Sequence, residues 1–426
     1  MHLNQATPEL LREQEILLNE KYGIFRDENL NLDLTRGKPN TAQLDLSNEL
    51  DGILKGNYTD NNGADLRNYG GLDGIPEAKE LFSDVIGLNP EEMIIGGNAS
   101  LALMYFSAHT ALHHGLSGSD SAWSREGKSV KFIAPVPGYD RHFAVCEHLG
   151  IELIPVTMTD EGPDMDEVER LVKADPSIKG IWCVPRFSNP TGIVYSNDTV
   201  SRIAKLGHVA GSNFLVFWDN AYAVHAFEEN APELANVMDY CREEGTENNI
   251  LIFGSTSKVT LAGAGVAFLG GSSTNLAGLK NSLGYSTIGP DKINQLRHVK
   301  FLVDRPNLNS HMKKHAEIIK PRFDAVLKQL QESLGDAGMG DWTTPQGGYF
   351  VSFNSLPHLA REIVKLAADV GVKLTPAGAT FPYGNDPNDN NIRLAPTFPS
   401  VTEIEKAMEV FVVCVQLASI RQKLNT

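Results

Sequence analysis

The sequence predicts an α/β fold: a large domain on a mostly parallel seven-stranded sheet with helices on both faces, plus a smaller α+β domain. Three observations predict it. Seven apolar runs alternate with helical patterns through the first two thirds of the chain. These runs are nearly continuous, as in strands buried on both faces, rather than alternating as in strands with one wet face. Beyond about residue 292 the pattern changes to long helices and loops rich in Gly, Pro, Asn and Asp.

At 426 residues and 42% hydrophobic content the chain can bury a large core and is long for one domain. The expected division is an N-terminal segment of the small domain at 1–48, a large domain at 49–305 and the rest of the small domain at 306–426. Lys and Arg number 37 against 53 Asp and Glu, a net charge of -16. That balance opposes nucleic-acid binding and favours small-molecule partners. The four cysteines are far apart, so neither a disulfide framework nor a metal site is expected. The start of the chain has no basic, apolar leader and no run is long enough to span a membrane, so a cytoplasmic protein without a membrane partner is expected.

Thr7 and Pro8 introduce a helix over 9–22 that Gly23 should close. Leu30 to Leu34 runs into the polar turn Arg36-Gly37-Lys38-Pro39, and Asn68-Tyr69-Gly70-Gly71 leads to a helix over 77–86. The seven apolar runs are 93–95, 130–134, 151–156, 180–184, 214–218, 250–253 and 266–269, with helical patterns at 101–113, 165–172 and 197–210 among them. Helices at 292–303 and 312–334 follow, joined through Asn307 to Ser310. Then come an extended stretch at 349–353, a helix at 359–370, and short runs at 372–375 and 392–395. Ser400 and Glu403 form a capping box for the last helix.

Ligands on such sheets sit at the carboxyl ends of the strands. There the chain places Gly97-Asn98-Ala99-Ser100, Pro137-Gly138-Tyr139, Ser188-Asn189-Pro190-Thr191-Gly192, Asp219-Asn220-Ala221-Tyr222 and Gly254-Ser255-Thr256-Ser257-Lys258. A small-residue turn opening a helix offers backbone N–H groups to a phosphate. A lysine that loses its proton where solvation is poor is an amine nucleophile for an aldehyde. Together with a carboxylate that can keep a ring nitrogen protonated, these are the needs of pyridoxal 5′-phosphate.

From about residue 30 to 415 the chain resembles the fold type I pyridoxal-phosphate aminotransferases. The motifs that carry the resemblance are Ser188 to Gly192, Asp219 to Tyr222, Ser255 to Lys258 and Asn391-Ile392-Arg393-Leu394, in the family's order. Arg36 to Asn40, Gly97 to Ser100 and Gly263-Ala264-Gly265-Val266 look most like a divergent subgroup of bacterial aspartate aminotransferases. The resemblance implies that Lys258 forms the Schiff base and shuttles the proton, and that Asp219 pairs with the pyridinium nitrogen. It implies that Tyr222 and Asn189 bond the ring oxygen and that Tyr139 stacks on the ring. Asn98, Ala99, Ser100, Ser255 and Ser257 would hold the phosphate, with Tyr69 reaching it from the second subunit of a homodimer with shared sites. Arg393 would grip the substrate α-carboxylate, with Gly37, Asn189 and Arg36 beside it.

The implied reaction is a ping-pong exchange between L-aspartate and 2-oxoglutarate, giving oxaloacetate and L-glutamate. Other amino donors, or a lyase reaction on the same scaffold, are the alternatives. Two positions depart from the family pattern. Val266 stands where most members carry a phosphate-binding arginine, and Ser282 where dicarboxylate-selective members carry another. Arg36, Lys38 and Lys280 are the candidate replacements for the second. Ser255-x-x-Lys258 also matches a serine acyl-enzyme motif, but the Ser-Asp-Asn and Lys-Thr-Gly elements that would accompany it are absent.

Overall fold

The computed structural model describes residues 2–127 and 129–425. The main sheet contains the seven expected strands: β1 Met93–Ile95, β2 Lys131–Val136, β3 Glu152–Thr159, β4 Ile178–Cys183, β5 Leu215–Asp219, β6 Ile250–Ser255 and β7 Ala267–Gly271. Their order is β1-β7-β6-β5-β4-β2-β3, with a two-residue strand, Gly162–Pro163, added antiparallel to β3. Strand β7 runs antiparallel to both its neighbours, and the remaining main-strand pairs are parallel.

Both faces are covered, which is why the strands read as unbroken apolar runs. Successive side chains point to opposite faces. Ile133, Ile181, Val216, Trp218, Ile250 and Ile252 thus enter one core, and Phe132, Trp182, Leu215, Phe217, Leu251 and Phe253 the other. A third core joins helices Pro8–Asp27, Arg305–Leu334 and Val401–Asn425 to small sheets. One pairs Leu32–Leu34 with Val372–Leu374, and the other orders Gly340–Trp342, Val351–Ser355 and Asn391–Leu394.

Several element boundaries differ from expectation. Gly23 does not end the first helix, which continues to Asp27 because Tyr22 and Phe25 are buried on its inner face. The expected loop at 307–310 is helical instead: Asp304 caps Arg305–Leu334 by accepting from the Asn307 N–H, so the helix starts a full turn before Leu308. The strand expected at 349–353 is Val351–Ser355. The helix expected at 197–210 is Asn197–Lys205 followed by a 3-10 turn, Leu206–His208. The capping box of the last helix forms as expected, with Glu403 accepting from the Ser400 N–H at 2.7 Å and the Glu403 N–H donating to Ser400 Oγ at 3.3 Å. Among the described residues no helix is long and apolar enough to cross a membrane.

Candidate active site

Three parallel strand ends build the site floor. β5 ends on Asp219, which is 2% exposed. Its Oδ2 accepts from His142 Nε2 at 3.0 Å, whereas its Oδ1 is buried without a partner among the described residues. His142 lies in the first turn of the helix Asp140–Leu149, stacked on Trp182 of β4 with ring centroids 4.4 Å apart. Tyr139 is the residue before that helix and meets His142 edge-on at 4.9 Å. Burial and the nearby charges of Asp219 and Asp140 hold the Tyr139 phenol well above its ordinary range.

Lys258 lies in the turn after β6. The turn is closed by the Val259 and Thr260 N–H groups, which donate to the Thr256 carbonyl at 2.9 and 2.8 Å. Thr256 Oγ1 accepts from the Val266 N–H at 2.9 Å. The Lys258 amine makes no side-chain hydrogen bond among the described residues and lies 5.0 Å from the Tyr222 ring centroid. Burial pushes its pKa down, against the upward pull of Asp219, and so favours the neutral, nucleophilic amine. Tyr222 is held protonated by burial first and then by Tyr139 and Asp219.

These groups share one cavity, lined by Gly37, Ser100, Tyr139, Asn189, Asp219, Tyr222 and Lys258, with Leu101, Met104, Val184, Ala221 and Phe350. Gly37 is required by space: a β-carbon there would stand 2.5 Å from the Phe350 ring. Arg393, on the strand Asn391–Leu394, is 6% exposed. Its Nη1 donates to Asp140 Oδ1 at 3.0 Å and to Asn189 Oδ1 at 3.1 Å. Its Nη2 has no protein partner among the described residues.

Beside the cavity, the helix Ser100–His113 begins with no side-chain cap. Ser257 Oγ donates to the Asn98 carbonyl at 3.1 Å, Ser255 Oγ to Ser257 Oγ at 3.1 Å, and Asn98 Nδ2 to the Gly263 carbonyl at 3.2 Å. Asn98, Ala99, Ser255 and Ser257 are thus gathered around one helix N-terminus, the arrangement that suits an anion.

Four expected groups stand apart. Tyr69 is 81% exposed and lines a separate cleft with Arg67, Gly289 and Lys292. Arg36 is exposed and does not line the cavity. Lys280 lies 3.4 Å from Asp73 Oδ2, which Lys79 also binds at 2.6 Å. Lys38 packs its amine 3.7 Å over the Phe398 ring. Val266 is 1% exposed, a wall residue of the core. His142, Asp140, Phe350 and Arg141 were not anticipated. The spacing of Asp140, Arg141 and His142 directly after Tyr139 was the available signal for three of them. Arg141 is exposed, forms no ion pair among the described residues, and its charge is felt at the Tyr139 phenol.

A buried amine and a buried carboxylate at the carboxyl edge of this sheet fit an aminotransferase of fold type I. The chain belongs to the family described as Aspartate amino-transferase, whose sequence model matches residues 4–426. A Corynebacterium glutamicum protein named aspartate aminotransferase is 42% identical over 409 residues, 96% of this chain and 94% of its own. A Mycolicibacterium smegmatis protein, whose name gives an aminotransferase without a substrate, is 46% identical over 414 residues and 96% of each chain. The crystal structure of an aspartate transaminase from Corynebacterium glutamicum superposes with a TM-score of 0.96 at 40% identity, covering 99% of both chains.

Proposed function

We propose that the protein transfers the amino group of L-aspartate to 2-oxoglutarate by a ping-pong mechanism with pyridoxal 5′-phosphate, giving oxaloacetate and L-glutamate. The observation that carries the reading is a buried Lys258 amine that feels the charge of Asp219 and, among the described residues, has no hydrogen-bond partner, beside an Asp219 oxygen that is buried and unclaimed. A buried carboxylate oxygen without a donor is costly unless a ligand supplies one, and a protonated pyridine nitrogen is a fitting donor. The cofactor, when bound, supplies an electron sink for the pair left at the substrate α-carbon.

The chain's own residues do the rest. Lys258 supplies the amine that holds the cofactor's aldehyde, then moves the proton at the substrate α-carbon. Asp219 keeps the proton on the ring nitrogen, and His142 fixes the carboxylate from its other side. Tyr222, a neutral phenol in this site, donates to the ring oxygen together with Asn189, and Tyr139 supplies an aromatic face. Asn98, Ala99 and Ser100 with Ser255 and Ser257 receive the phosphate in place of an arginine at Val266. Arg393 offers Nη2 to the substrate α-carboxylate beside Gly37, a fork that lysine lacks.

The second carboxylate of aspartate needs a further cation. Arg36, beside Gly37, and Arg141, two residues after Tyr139, are exposed and without ion pairs among the described residues, and the name of the Corynebacterium relative supports aspartate as donor. The working form in this reading is a cytoplasmic homodimer in which Tyr69, which does not reach its own cavity, serves the other subunit. The division into 1–48, 49–305 and 306–426 is part of the same proposal. A panel of amino donors with 2-oxoglutarate tests the substrate. Activity with leucine or aromatic donors and none with aspartate would remove aspartate and leave the aminotransferase chemistry standing.

A further inference from the structure

We infer that His225 and Tyr349 are positioning residues that pin the backbone of Lys258 while leaving its amine free; the inference rests on the proposed role of Lys258. The Lys258 carbonyl accepts from His225 Nε2 at 3.2 Å and from Tyr349 Oη at 3.4 Å. A carbonyl only accepts, so the His225 proton sits on Nε2. Its Nδ1 is buried with no partner among the described residues, which fits a neutral ring in a single tautomer.

The clamp is anchored from two distant segments. Gln43 is fully buried in the helix Thr41–Asp45, and its Nε2 lies 3.0 Å from Tyr349 Oη and 3.1 Å from His315 Nδ1. His315 meets His311 at 3.1 Å, and His311 Nε2 donates to the Val259 carbonyl at 2.7 Å. The carbonyls of Thr256, Lys258 and Val259 are therefore all occupied, two of them by side chains from outside the turn. The rings also fence the amine: Lys258 Nζ is 5.0 Å from the Tyr222 centroid and 5.8 Å from that of Tyr349, and His225 stands edge-on to Tyr222.

Such a clamp serves a lysine that must swing between two carbon atoms. Its backbone is fixed, so each excursion of the side chain returns to one origin, and a small misplacement of a reacting group is expensive in rate. Interactions of this kind affect the chemical steps more than substrate binding.

The test uses the full chain loaded with pyridoxal 5′-phosphate. His225→Leu removes the donor, His225→Gln keeps an N–H near the Nε2 position, and Tyr349→Phe removes only the hydroxyl. Three quantities are read: kcat and KM for L-aspartate, the pH midpoint of the cofactor's visible absorbance, and the rate at which borohydride fixes the cofactor to the Lys258 peptide. His225→Leu and Tyr349→Phe are expected to lower kcat about tenfold, with KM within about twofold, and to move the midpoint and the fixation rate. His225→Gln should recover to within about threefold of the parent. Should His225→Leu fail to fold, Tyr349→Phe decides alone. Unchanged kcat, midpoint and fixation rate in Tyr349→Phe, or equal losses in the Leu and Gln variants, overturn the positioning role. Parent protein fixing the cofactor at a lysine other than Lys258 overturns both this inference and the reading beneath it.

Discussion

His142 Nε2 and Asp219 Oδ2 meet at 3.0 Å, and the other oxygen of that carboxylate is left buried and unpaired. The two oxygens thus have different tasks, one for the protein and one for a ligand. Asp219→Asn keeps the shape and removes the charge that would hold a proton on the ring nitrogen. It is expected to lower kcat by about 10²–10³-fold, the range for losing one preorganised polar group. Steady-state kinetics with L-aspartate check this, and a fall of less than tenfold would contradict it.

Arg393 already spends Nη1 on Asp140 and Asn189, so recognition of the α-carboxylate depends on the remainder of its fork. Arg393→Lys keeps the charge and loses the fork. Its kcat/KM should drop by about 10–100-fold, with most of the change in KM, as for one or two charge-assisted hydrogen bonds.

Val266 sits in a packed core with Phe268 and Leu296. Restoring the family's arginine by Val266→Arg therefore buries an unpaired charge, and a loss of about 3–5 kcal/mol in urea unfolding is expected rather than tighter cofactor binding. Ser257→Ala should do the opposite. Stability stays close to the parent while the cofactor dissociation constant rises about tenfold, measured by titrating the stripped protein.

How much of this was legible depends on how local each feature is. Asp219 directly follows an apolar run, and Lys258, Asn189 and Tyr139 each lie in the short loop after one, so the sequence locates them at strand ends without any knowledge of the sheet order. The antiparallel course of β7 was not legible, because Val266 to Leu269 reads as an apolar run whichever way it points. Gln43, His311 and His315 come together only through tertiary packing, and nothing in their spacing links Gln43 to a helix more than two hundred residues away. Gly23 misled because a glycine in mid-helix and one at its end look alike until Phe25 is known to be buried.

Burial holds His225 and His315 at a pKa of about 3 against an ordinary 6.5, with Lys258 adding to the effect on His225 and His311 to that on His315. Between those values the unfolded chain binds protons that the folded chain refuses. Stability therefore rises with pH across this window and falls on acidification, by about 1.4 kcal/mol per pH unit for each withheld proton. Urea midpoints recorded from pH 7 to pH 4 should show this slope. His315→Gln should flatten it, and a profile as steep as the parent's would contradict the assignment.

In the proposed reaction Lys258 enables, without itself retaining the nitrogen, the transfer of an amino group from aspartate to a 2-oxo acid. This role is tested most directly by mixing the cofactor-loaded protein with ¹⁵N-labelled L-aspartate, removing the free amino acid, and then adding 2-oxoglutarate. The parent protein is expected to give oxaloacetate in the first step and ¹⁵N-labelled L-glutamate in the second, and Lys258→Ala neither. Unlabelled glutamate, or equal transfer by Lys258→Ala, would contradict it.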